Sequence, residues 1–181
     1  MSRRLEVFGR RMREIARALR HAPDRVLHPL RRMRSTAAVK ELGGVRLVLV
    51  VCLGNICRSP YAAAALRRLT GSGIRIESAG FIGPGRSVPE TGRRVAQRRG
   101  LNLEDHRSQL VTAELVSTAE LIIVMDRSQA RELWRRFGRS GGVLVLGDLD
   151  PFPIDMRTVR DPFDQAEIVF EMVYERIDRC V

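Results

Sequence analysis

Four short strand-like runs, at 45–51, 74–78, 120–125 and 143–146, recur along the chain with helical patterns between them. This alternation restricts the fold more than any other property of the sequence. A run that is apolar at nearly every position, as Leu47–Val51 is, has to be covered on both faces. Helical patterns at about 59–70, 89–99, 113–117, 128–137 and 165–179 supply the cover. Strands alternating with helices pair in parallel, because parallel neighbours need a long crossover between them. The expected fold is therefore α/β, a three-layer sandwich. A four-stranded parallel sheet carries helices on both faces, with an anion-holding loop after the first strand. In such sheets ligands collect beyond the carboxyl ends of the strands, where Cys52, Ser78, Asp126 and the 147–163 loop fall.

Residues 1–44 read as a separate basic, amphipathic helical extension, and residues 45–181 as the main domain. Leu5, Phe8, Met12, Ile15 and Leu19 recur at three- and four-residue spacing, which predicts a helix over 1–20 with arginines on its other face. Pro23 and Pro29 are expected to break it before a second basic stretch, Arg31–Arg34, and Gly43-Gly44 to mark the boundary. The extension holds 12 basic and 4 acidic side chains, a net +8, whereas residues 45–181 hold 20 and 17, a net +3. The overall +11 thus belongs mostly to the extension, and the main domain gives no charge argument for nucleic acid. Three readings of the extension stay open. Residues 1–34 contact an anionic membrane or an acidic partner, or they pack on the domain or pair two chains, or translation starts at Met33. The oligomeric state is open as well.

No apolar run approaches the ~20 residues that span a bilayer, and no signal-peptide core is present. Three cysteines, Cys52, Cys57 and Cys180, do not make a disulfide scaffold, so a cytoplasmic setting is expected. No metal or cofactor is expected. Trp134 sits at helical spacing among apolar residues and is expected in the core, and Cys180 is expected to be inert.

The chemistry concentrates in LVLVVCLGNICRSP, residues 47–60. With 31 arginines among 181 residues, the C-x5-R spacing of Cys52 and Arg58 is weak on its own. Its surroundings make it specific. Gly54 exposes backbone N–H groups, and Asn55 tolerates the left-handed region. Ser59 can donate to a thiolate, and Pro60 suits a first helical turn. Backbone amides of 53–58 and a helix N-terminus favour an anion and the thiolate of Cys52, while Arg58 can grip two phosphate oxygens. Asp150-Pro151 and Asp161-Pro162 both offer an acid, or simply mark turns. Cys57 is either a small buried filler or a partner for a reversible disulfide with Cys52.

Over residues of about 45–180, and most specifically in CLGNICRSP, the chain resembles the low-molecular-weight protein tyrosine phosphatases of bacterial type. The resemblance implies hydrolysis of phosphotyrosine through a phosphocysteine: Cys52 attacks phosphorus, Arg58 binds the phosphate, and Ser59 supports the departing thiolate. It selects Asp161, in Asp161-Pro162-Phe163 before the last helix, as general acid and base, and matches Asp150 to a non-catalytic position. It implies a phosphate loop of Leu53, Gly54, Asn55, Ile56, Cys57 and Ser59, with Asn55, Ser59, Ser78 and His106 bracing it. Leu53 and Phe163 would wall an aromatic pocket, with Phe81-Ile82 facing it more loosely. A phosphotyrosine protein is the implied substrate. In bacterial members a tyrosine autokinase of polysaccharide export is the opposing enzyme.

Three other functions compete. Arsenate reductases of the same fold need two further cysteines about thirty residues on, and residues 75–100 contain none. Arginine-phosphate phosphatases carry a small polar residue where Ile56 stands, and an aliphatic side chain suits a flat aromatic group better. A phosphotyrosine-binding module without turnover would not need both Cys52 and Asp161.

Overall fold

The computed structural model describes residues 2–41 and 43–181, with the side chains of Met12 and of residues 22–41 described in the first helix. Helix α1 (Ser2–Glu41) leads to β1 (Leu47–Cys52), α2 (Arg58–Thr70), β2 (Arg75–Gly80), α3 (Glu90–Arg98) and α4 (Ala113–Thr118). Then follow β3 (Leu121–Val124), α5 (Arg127–Phe137), β4 (Val143–Val145) and α6 (Glu167–Cys180). The four strands form one sheet, all parallel, in the order β2-β1-β3-β4. Strand order reverses beside β1, so the crevice at its carboxyl end is the natural ligand position.

All six residues of β1 are buried, as a strand covered on both faces requires. Its side chains alternate between two cores. Val48, Val50 and Cys52 join α2, α3 and α6 through Tyr61, Val95, Phe170 and Tyr174. Leu47, Leu49 and Val51 join α4 and α5 through Val116 and Leu133. Between α2 and α6 the rings of Tyr61 and Tyr174 stack at 3.7 Å, and Phe170 meets Tyr174 edge-on at 5.9 Å. Gly92 lets α3 close on this stack, since a Cβ there would lie 2.9 Å from the Tyr174 hydroxyl.

Three expectations need correction. Pro23 and Pro29 lie inside α1 and do not end it. A proline in a helix interior costs about 3 kcal/mol or more. Here the stretch between and beside the prolines is docked on residues 148–157: Arg25 pairs with Asp155 at 2.7 Å, and His28 reaches the Asp150 carbonyl at 3.0 Å. Tertiary contact overrides the local preference. The apolar stripe at Leu5, Phe8, Ile15 and Leu19 falls outside the described side chains, and Met12 is exposed. Trp134 is 63% exposed, not core. The neighbouring Leu133 is the buried residue, and one helical step turns Trp134 away from the sheet. Phe81 is buried in the α4–α5 core, with the Arg136 guanidinium 5.3 Å above its ring, and only Ile82 is exposed.

Candidate active site

Cys52 is the last residue of β1 and Arg58 the first of α2, so residues 53–57 form the tight connection over the switch point. The Cys52 sulfur accepts the Asn55 amide at 3.2 Å and the Ser59 hydroxyl at 3.0 Å. Both donors stabilise negative charge on sulfur. Leu53 is exposed at the rim, whereas Ile56 and Cys57 turn into the core. Burial, then Asp161 and Cys52, pushes the Cys57 thiol far up, so it stays protonated. Burial likewise pushes Cys180 up to about 12. All three cysteines are free thiols.

Asn55 organises the loop. Its φ of 52° is left-handed, a conformation Asn accepts better than most residues. Its side-chain amide donates to Ser59 Oγ and to Ser78 Oγ, each at 2.9 Å. Its side-chain oxygen accepts the Gln109 backbone N–H at 2.9 Å. Its own carbonyl accepts from His106 Nε2 at 2.8 Å, which fixes Nε2 as the protonated nitrogen. Burial, with help from Arg67 and Arg107, holds His106 below the ordinary imidazole value although the Asn55 bond opposes this. Asn55, Ser59, Ser78 and His106, the residues the resemblance implies as a brace, thus lie together around the loop.

Several contributors were not legible in the sequence. Gln109 closes the brace twice, its side chain also donating to the Ser78 carbonyl at 2.9 Å. Gly80 ends β2 under the loop, where a Cβ would lie 2.7 Å from the Asn55 nitrogen and 2.9 Å from the Leu53 oxygen. Arg86 ties the neighbouring loop down, donating to the Gly83 carbonyl at 2.8 Å and the Gly54 carbonyl at 3.0 Å. A glycine after a strand and one arginine among many give no sequence signal of these long-range contacts. Asp126, at the end of β3, caps α5 by accepting the Gln129 amide at 2.9 Å.

Arg58 is almost fully buried. Its Nη1 donates to the Val159 carbonyl at 3.1 Å, and its Nη2 pairs with the Asp161 carboxylate. Its Nε is buried with no partner among the described residues. A buried guanidinium donor calls for an acceptor. Asp161 itself is part-exposed, and Phe163 beside it is exposed, its amide donating back to Asp161 at 3.2 Å. Asp150 is different. Its carboxylate is buried and enclosed by Arg176 and Arg179, each at 3.2 Å, so it has no open face. Among the described residues no cluster of His, Cys, Asp and Glu has the arrangement of a metal site.

Residues 47–181 match the family model described as low molecular weight phosphotyrosine protein phosphatase. The chain is 39% identical over 140 residues to the probable low molecular weight protein-tyrosine-phosphatase EpsP of Ralstonia nicotianae, covering 76% of this chain and 92% of that one. Its fold is similar to the Erwinia amylovora tyrosine phosphatase AmsI, with a TM-score of 0.69 and 32% identity over 75% of this chain and 88% of that one. It is also similar to the tyrosine phosphatase Wzb of Escherichia coli K30 in complex with sulphate (TM-score 0.68, 31% identity, 75% and 93% covered).

Proposed function

The chain belongs to the low molecular weight phosphotyrosine protein phosphatase family and is an enzyme of that class, and from this premise we propose the roles of its site residues. Cys52 is the nucleophile. Its sulfur attacks phosphorus, the bond from phosphorus to the tyrosine oxygen breaks, and Asp161 gives its proton to the leaving phenolate. Arg58 and the amides of 53–58 hold the equatorial oxygens as charge shifts onto them. Water then attacks the phosphocysteine and gives a proton to Asp161. The thiolate leaves toward the Ser59 hydroxyl and the Asn55 amide, releasing phosphate.

The observation that carries this reading is the placement of Arg58. One buried guanidinium opens the helix next to the Cys52 loop and pairs with Asp161, 103 residues away, while its Nε has no partner among the described residues. When a phosphate occupies the loop, Arg58 exchanges the Asp161 carboxylate for phosphate oxygens, which frees Asp161 to carry a proton. Leu53 and Phe163, both exposed beside this point, flank the aromatic ring.

The substrate in this reading is a tyrosine-phosphorylated protein in the cytoplasm, with a tyrosine autokinase of polysaccharide export as the opposing enzyme. Free thiols support that compartment. Among the described residues no helix is long and apolar enough to cross a membrane. The test is turnover of a phosphotyrosine peptide. Cys52→Ser is expected to abolish phosphate release, and Asp161→Asn to lower kcat by roughly a hundredfold or more. Phosphate release by Cys52→Ser at the wild-type rate would overturn the assignment.

A further inference from the structure

We infer that α1 clamps the loop carrying Asp161, with Asp24 and His28 as positioning residues for the proton transfer. The inference rests on the assignment of Asp161 as the acid.

Residues 150–161 run from the end of the sheet to the acid and are held from three sides. From α6, Arg176 donates to the Met156 carbonyl at 2.7 Å and the Thr158 carbonyl at 2.9 Å. From the sheet side, Val159 donates its amide to the Met125 carbonyl at 2.9 Å and gives its own carbonyl to Arg58 at 3.1 Å. The third side is α1. Asp24 accepts the Arg157 backbone amide at 3.1 Å, and His28 Nε2 donates to the Asp150 carbonyl at 3.0 Å. Both bonds span more than a hundred residues of sequence. His28 is 5% exposed, so its bond is shielded from water. Arg31, two helical turns further along α1, orients Asp24 at 2.8 Å.

Arg157 is the joint of this device. Its amide is taken by Asp24, and its guanidinium grips both oxygens of buried Asp148 at 2.7 and 2.5 Å. Val159, fully buried two residues on, passes that position along the loop to Asp161, whereas Arg58 is placed by α2. The exposed Arg25–Asp155 pair adds little, as solvent-screened pairs do. Helix α1 lies outside the residues that match the family, and the part of the Ralstonia chain left uncovered is far shorter than α1. The clamp is therefore an addition of this chain that tunes a loop rather than creates it.

Phosphate binding is anchored elsewhere, on β1, α2 and β2, and α1 makes no bond there among the described residues. A loosened acid loop should therefore spare phosphate affinity and weaken protonation, and the loss should grow with the basicity of the leaving group.

The experiment compares kcat/KM for phenyl phosphate, a poor leaving group, and dinitrophenyl phosphate, a good one. The double variant Asp24→Ala/His28→Ala is expected to lose about tenfold on phenyl phosphate and less than about twofold on dinitrophenyl phosphate. Inhibition by inorganic phosphate should be unchanged. Asp24→Asn keeps an oxygen for the Arg157 amide and should behave as wild type on both substrates. The single variants Asp24→Ala and His28→Ala should each show part of the same pattern, which covers the case of a double variant that folds poorly. An equal loss on both substrates, or no loss, overturns the clamp. Asp161→Asn run in parallel separates the two ideas. If it is leaving-group dependent and the α1 variants are not, the clamp alone fails. If Asp161→Asn falls equally on both substrates, the acid assignment fails.

Discussion

Asn55 concentrates more of the site than any other residue. Its side chain meets Ser59, Ser78 and Gln109, its amide meets Cys52, and its carbonyl meets His106. Asn55→Ala strips partners from buried polar groups and leaves alanine at a φ of 52°. A loss of about 2–5 kcal/mol follows from the orphaned groups and the left-handed strain. Urea unfolding should register this, and kcat should fall with it. Asn55→Gly relieves the backbone alone and should recover only the smaller part. His106 titrates against folding in a definite direction. Its folded value is lowered, so below the ordinary 6.5 the unfolded chain takes up a proton that the folded chain resists. Stability from this residue is full above that pH and declines as pH falls toward the lowered folded value. His106→Gln keeps a donor for Asn55 and removes the titration. Its melting temperature should run parallel to wild type at neutral pH and decline less steeply in acid. Parallel curves throughout would contradict the assigned direction. Asn55 and Ser59 were readable from the loop sequence, and Ser78 and His106 came only from the family resemblance. Their partners Gln109, Gly80 and Arg86 were not, because nothing local distinguishes a glycine under the loop from a glycine in a turn.

Among elements, periodicity identified strands and helices but not always their faces. β1 was legible because an apolar, β-branched run has one solution, a strand buried on both sides. Trp134 was misassigned because apolarity marks what a side chain tolerates, while burial depends on which way its helix turns. The difference is measurable. Tyr174 lies in the α2–α6 stack, fully buried, so Tyr174→Ala should destabilise by about 3–5 kcal/mol. Trp134→Ala, on the outer face of α5, should stay within about 0.5 kcal/mol. Urea midpoints for the two variants decide between the structural and the sequence-only view of the core. Pro23 and Pro29 make the same point for α1. Proline chemistry predicts a break, and docking through Asp24 and His28 sustains the helix.

For the whole molecule, the proposed site is two halves, the Cys52 loop and Asp161, joined through Arg58. The first half, Cys52 to Ser59, is continuous in sequence and was legible there. The second, Asp161, was separated from Asp150 only by family resemblance, because two Asp-Pro pairs look alike in sequence. The fold supplies the physical reason. Asp150 is spent on Arg176 and Arg179, and Asp161 is left open beside Arg58. Net charge was informative in a negative way, since it resides mostly in residues 1–44 and not in residues 45–181. The central claim is that phosphate passes through sulfur at the end of β1. The most direct measurement mixes enzyme with a phosphotyrosine peptide, quenches in acid within the first turnover, and maps the phosphate by mass spectrometry. The account predicts phosphate on the peptide containing Cys52 in the wild type and in Asp161→Asn, formed more slowly in the variant because its phenolate departs without an acid. Full turnover with no phosphate on Cys52 in either protein would contradict it.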